Sequence, residues 1–136
     1  MNGVMNSAPG EKSLDRLIEK MNPVLHGGEY VFCTLPHDAP LPAAAIAVFR
    51  EIEETTIVIA RSDAEAHRFD PLYAAAWITL QIHSDLDAVG FLAAITAVLA
   101  RADISCNVFS AFHHDHLFVP YEKGERAVEL LLAMQR

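Results

Sequence analysis

Hydrophobic and polar positions run along this chain with two periods, and each change of period marks an element. Leu14, Leu17, Ile18 and Met21 recur at helical spacing with Asp15, Arg16, Glu19 and Lys20 between them. This predicts a short amphipathic helix with Ser13 as its N-cap. Asn22-Pro23 ends it, and Gly27-Gly28 marks a turn. Glu29–Leu35 is β-branched and aromatic and reads as a strand. A loop with Pro36, Pro40 and Pro42 follows, and then Ile46–Ile52 and Thr56–Ala60 form a candidate hairpin across Glu53-Glu54-Thr55. Ser62 and Glu65 have capping-box spacing, which predicts a helix over Asp63–Arg68. Asp70-Pro71 closes this half.

The second half is patterned more sharply. Ala76, Ile78, Leu80 and Ile82 alternate with Trp77, Thr79, Gln81 and His83, a strand with one apolar face. Ser84 and Asp87 have cap spacing, and a helix is expected from Leu86 to Arg101, with Val89, Leu92, Ile95 and Leu99 on one stripe and Phe91 and Val98 beside it. Asp103 precedes a strand over Ile104–Ala111, with Ile104, Cys106 and Val108 on one face and Ser105, Asn107 and Phe109 on the other. His113-His114-Asp115 is a polar connection, His116–Pro120 a strand, and Gly124–Met134 a last helix with Ala127, Leu130, Leu131 and Met134 inward.

Residues 76–134 thus read β-α-β-β-α. A strand–helix–strand crossover gives parallel strands with a right-handed connection. The order is a ferredoxin-like β-α-β-β-α-β unit without its last strand. Glu29–Leu35 is the expected donor of that strand, from the same chain or from a partner. The fold class is α+β. A tail over 1–12, an N-terminal half over 13–70 and a C-terminal unit over 71–136 are expected.

Composition narrows the function. Ten Lys and Arg against eighteen Asp and Glu give a formal charge of −8 over 136 residues. Phosphate binding needs clustered cations, so neither nucleic acid nor an anionic membrane is an expected partner. The longest apolar run, Ala88–Ala100, is too short to span a membrane. No secretory signal pattern is visible at the N-terminus. Cys33 and Cys106 sit in apolar runs and form no CxxC pair, as expected of reduced thiols in a cytoplasmic protein.

Five segments carry a family resemblance: Gly28–Phe32, Ala76–Leu80, Leu86–Phe91, Ile104–Val108 and His113–Pro120. Together they resemble the small bacterial ACT-domain proteins. The likeness runs from about Ser13 to the C-terminus, and its most specific block is His-His-Asp-His-Leu-Phe-Val-Pro. It implies two ferredoxin-like ACT units packed side by side with antiparallel sheets. It also implies an amino acid or other small ligand held between units, and a homodimer that reports to an unknown protein target.

The residues themselves point the same way. The first N–H groups of the helix after Ser84 can hold a carboxylate, and Gly90 lets a ligand approach the backbone. Asp85 and Asp87 suit an ammonium, and Asn107 can donate and accept at once. The expected ligand site comprises Asp85, Leu86, Val89, Gly90, Phe91 and Asn107. The alternative is structural: Ser84 and Asp87 cap the helix, Gly90 permits packing, and Asn107 satisfies the backbone. His113, His114, Asp115 and His116 invite a metal reading, but strand alternation separates neighbours, and a hairpin with Asp115 bonding the turn is the expected role. No nucleophile or phosphate-loop motif is present. No catalytic residue, metal or cofactor is expected. The expected function is non-catalytic, small-molecule-binding regulation. The alternatives are a protein–protein interaction module using the sheet edge or the face carrying Trp77, and a metal-dependent enzyme built on His113–His116.

Overall fold

A computed structural model describes residues 8–136. The elements are α1 (Leu14–Lys20), β1 (Pro23–Leu25), β2 (Tyr30–Leu35), β3 (Ala47–Arg50), β4 (Thr55–Ala60), α2 (Arg61–His67), β5 (Tyr73–Leu80), α3 (Phe91–Arg101), β6 (Asn107–Ser110), β7 (Asp115–Pro120) and α4 (Gly124–Met134). All seven strands form one sheet in the order β3-β4-β2-β5-β7-β6, with β1 also paired to β5. Every pairing is antiparallel.

β5 organises this sheet. One of its edges pairs with β7 from Ala75 to Leu80. Its other edge is divided: Tyr73–Ala75 pair with β2, and Ile78–Leu80 pair with β1. Gly27-Gly28 bulges out between β1 and β2, with Gly28 at φ 90 where only glycine is unstrained. β1 and the start of β2 therefore fill the vacant strand position of the C-terminal unit, and they do so within the chain. β5 in turn serves as the last strand of the N-terminal unit. The crossover from β5 through α3 does return a parallel strand, β6, but β7 lies between them. The N-terminal unit lacks its first crossover helix, which the proline-rich loop before β3 replaces.

Four helices cover one face among the described residues. Ala76, Ile78 and Leu80 of β5 pack there with Leu17, Met21, Phe91, Ile95, Leu99, Leu117, Val119, Ala127 and Leu131. Val31, Cys33, Leu35, Ile57 and Ile59 pack on Ala64 of α2. Burial raises the thiol pKa values, that of Cys106 to about 11, so both cysteines stay protonated. Both are free. α4 starts against the sheet: a Cβ on Gly124 would lie 2.7 Å from Cβ of Ala76.

Among the described residues the opposite face carries no helix and is lined by aromatic side chains. Val58, Ala75 and Phe118 are fully buried there beneath Tyr30, Phe32, Tyr73, Trp77 and Phe109. The sheet curls so far that its two edge strands, β3 and β6, line one concavity. Strand twist gives an open sheet this tendency, and the aromatic rings exploit it by covering one another.

Several local expectations shift. α3 begins at Phe91 rather than Leu86, because Gly90 stands before it in the left-handed region at φ 94. The buried stripe is consequently Phe91, Ile95 and Leu99, and Val89 is left outside the helix. α2 begins at Arg61, and Ser62 does not cap it. Glu65 instead faces Arg61 at 3.4 Å. Strand β6 is shorter than Ile104–Ala111. Residues 1–7 of the expected tail lie outside the described residues. Glu11 is tied down, exchanging backbone hydrogen bonds with His83 (2.8 Å) and Asp85 (2.9 Å).

Because β5 belongs to both units, urea unfolding followed by Trp77 fluorescence and by far-UV circular dichroism is expected to give coincident transitions; two separated midpoints would contradict a shared strand. Gly124→Ala is expected to cost roughly 1–3 kcal/mol by overpacking, read as a lower urea midpoint with unchanged slope.

Candidate functional site

Between β5 and α3 the chain makes two tight turns. Asp85 Oδ1 accepts the Asp87 N–H at 2.7 Å, and the Ala88 N–H reaches the Asp85 carbonyl at 2.9 Å. Gly90 then turns the chain into α3. The first intrahelical bond runs from the Ala94 N–H to the Gly90 carbonyl, 3.0 Å. The N–H groups of Phe91, Leu92 and Ala93 precede it, and no side chain among the described residues caps them. They sit at the positive end of the helix dipole.

These groups border a cleft of about 140 Å³ that also contains Ser84, Asp85, Leu86, Gly90, Ser110 and Asp115. Asp115 is the first residue of β7 and only 4% exposed. Ser84 Oγ donates to its Oδ2 at 2.8 Å. Asp115 therefore does not bond the hairpin turn as expected; it is in phase with Leu117 and Val119 and points, like them, to the helical face. The cleft is thus lined by N–H donors at the start of a helix, a buried carboxylate and two hydroxyls.

The structure brings Asp85, Leu86, Gly90 and Phe91 to this cleft. Val89 does not line it and is 85% exposed. Asn107 is not in the cleft either. It alternates with Val108, whose side chain packs on the helical core, so it shares the helix-free face with Phe109. Ser84, Ser110 and Asp115 were not singled out for the site. The one available signal was Asp115 itself, an acid in step with a core stripe.

The histidines divide between surfaces. His83 does not continue the Trp77 face, since β5 ends at Leu80. Its ring lies 5.4 Å from Phe112 and 5.1 Å from His113, and its Nε2 is buried without a hydrogen-bond partner among the described residues. His116 lies on the aromatic face. The Trp77 indole N–H donates to His116 Nδ1 at 3.1 Å. Thr79 Oγ1 spans His116 Nδ1 (3.1 Å) and His26 Nε2 (2.7 Å), and His26 stacks on Trp77 at 3.6 Å. Among the described residues, no three His, Cys, Asp or Glu side chains are grouped to hold a metal.

Burial lowers the pKa of His116, and the neighbouring His114 and His26 lower it further. Burial also lowers that of His26. Each is therefore neutral in the folded protein at a pH where it is protonated in the unfolded chain, so protons favour unfolding.

Two ACT-domain models match the chain, over residues 9–76 and 73–133. The chain belongs to the ACT-domain family, and it carries two such units. Their overlap falls within β5. Among solved structures, a Vibrio cholerae protein of unknown function, described as a possible transport protein, is 37% identical with a TM-score of 0.79. That match covers 92% of this chain and 98% of the other. An Agrobacterium tumefaciens protein is 21% identical with a TM-score of 0.61, over 83% and 87% of the two chains. The α and β subunits of an aspartokinase share the fold at 10% identity and a TM-score of 0.58, over 82% and 95%. No curated protein sequence matches. ACT domains are regulatory modules that generally bind small molecules such as amino acids. Among the described residues no helix is long and apolar enough to cross a membrane.

Stability is expected to fall as pH drops below 6.5, the ordinary histidine value, and to be fully restored above it. In Tm measurements across that range, His116→Gln should flatten part of the slope; an unchanged slope in both His116→Gln and His26→Gln would contradict the assignment.

Proposed function

We propose that this protein is a non-catalytic regulator that binds an amino acid in the cleft at the start of α3. The observation that carries the reading is that helix-start N–H donors and a buried carboxylate line one small cleft. The free N–H groups of Phe91, Leu92 and Ala93 would receive the α-carboxylate, as helix starts receive anions. The buried Asp115 carboxylate, oriented by Ser84, would receive the ammonium. At about 140 Å³ the cleft resembles engineered cavities of ~150 Å³ that hold a benzene-sized guest. A small or medium side chain lying along Leu86 suits that size.

A homodimer belongs to the same reading and rests on the edge strand β6. The C-terminal unit no longer needs a strand from a partner, since β1 and β2 supply one. The free edge at β6 remains. Ser110 of that edge lines the cleft, so a bound amino acid would bias how a second copy adds to the sheet. The ligand acts by differential affinity for two association states, and a protein target would read the difference.

The test is a thermal-shift screen of the twenty amino acids. A ligand at ~100 times its Kd stabilises by about 2.7 kcal/mol, several degrees in Tm. One or two amino acids are expected to stand out. Asp115→Asn, which keeps an acceptor for Ser84, should abolish the shift; Asn107→Ala should leave it intact. Sedimentation with and without the selected amino acid should show a changed monomer–dimer distribution. A flat response to all twenty would overturn the reading.

A further inference from the structure

The concave, helix-free face forms a second cavity, of about 640 Å³. It is remote in chemistry from the cleft at α3. Its floor is Trp77, His116 and Phe118; its rims are Ala47–Phe49 of β3 and Val108–Phe109 of β6. No Lys, Arg, Asp or Glu lines it. Phe118 is held in place by edge-on rings, Phe109 at 5.6 Å and Phe32 at 5.8 Å. Trp77 lies nearly parallel to Phe118. The walls are therefore preset flat surfaces, and the volume lies within the ~300–1,000 Å³ range of small-molecule pockets.

One polar group in this cavity has a determined sense. An indole N–H can only donate, so His116 Nδ1, which receives it, carries no proton. The neutral imidazole then bears its proton on Nε2. Nε2 makes no hydrogen bond within the described residues, and His116 lines the cavity. The cavity thus offers aromatic faces, the His116 N–H donor on its floor and the Ser110 hydroxyl on its rim, with no ionic partner that could offset burial of a charge.

We propose that this cavity is a second ligand site, for a neutral, flat aromatic molecule carrying one hydrogen-bond acceptor. The ring lies against Trp77 and Phe109, and the acceptor receives the His116 Nε2–H. A phosphate or carboxylate would meet only neutral donors, the His116 Nε2–H and the Ser110 hydroxyl on the rim, and a cation would find no carboxylate, so both are disfavoured.

Trp77 is the only tryptophan in the sequence, and its indole N–H resonance reports on the cavity floor. The probes are acetophenone and 1-acetonaphthone, with cyclohexyl methyl ketone as a control that keeps the acceptor and loses the flat ring. Both aromatic ketones are expected to shift the Trp77 indole resonance saturably, with a Kd below about 1 mM. The control is expected to bind at least about tenfold more weakly, the equivalent of ~1.4 kcal/mol. Ala47→Trp, which fills the cavity from its rim, should abolish the shift without unfolding the protein. His116→Phe should weaken binding of 1-acetonaphthone several-fold. The proposal fails if no aromatic ketone gives a saturable shift, or if Ala47→Trp leaves the shift unchanged. It also fails if tetramethylammonium binds as well as 1-acetonaphthone, since the cavity would then be a cation cage.

Discussion

The hydrogen bonding of β5 is the constraint on which the rest of this structure depends. Its Tyr73–Ala75 end satisfies β2, its Ile78–Leu80 end satisfies β1, and its far edge satisfies β7. Buried backbone groups must be paired, so neither unit has a complete sheet without this strand. Sharing it joins two four-strand orders into seven strands. The arrangement also decides where the helices go. Ala74, Ala76, Ile78 and Leu80 face one way throughout, so both units put their helices on the same side. The other side is left to cover itself, which it does by curling its aromatic residues inward.

Much of this was legible as periodicity. The alternation from Ala76 to Leu80, the stripe Ala127–Leu131 and the hairpin around Glu53 are strong local patterns, and the structure keeps them. What escaped had no local signature. β1 is three residues beginning with a proline, and only its pairing with Ile78–Leu80 makes it a strand. The start of α3 escaped because Ser84-x-x-Asp87 is a good cap in isolation. In the fold the Ser84 side chain is turned instead toward Asp115, 31 positions later, and donates its hydroxyl there. Gly90, read as helical, was available to begin the helix instead. Side-chain direction is likewise fixed by strand parity, which puts Asn107 on the face away from the cleft at α3.

Two of the concavities among the described residues are of opposite character. The cleft at α3 is small and dipolar, with N–H donors and a buried carboxylate. The trough beneath β3 and β6 is large, aromatic and uncharged. β6 borders both, since Ser110 lines each of them. Occupation of either concavity would be felt at that four-residue edge strand. Energetic coupling between them needs no long relay, only two positions of β6 that the ligands favour unequally.

The Ala74-Ala75-Ala76 run at the start of β5 governs the sheet's shape. Ala76 makes room for α4 to begin at Gly124, and Ala75, fully buried on the inner side of the curl, lets the aromatic rings close over it. A bulky side chain at 75 would act as a wedge on the inside of a bend. It would splay the sheet and draw β3 and β6 apart, without altering a residue on either rim. The small size of Ala75 thus sets how closely the aromatic rings can approach the strand beneath them.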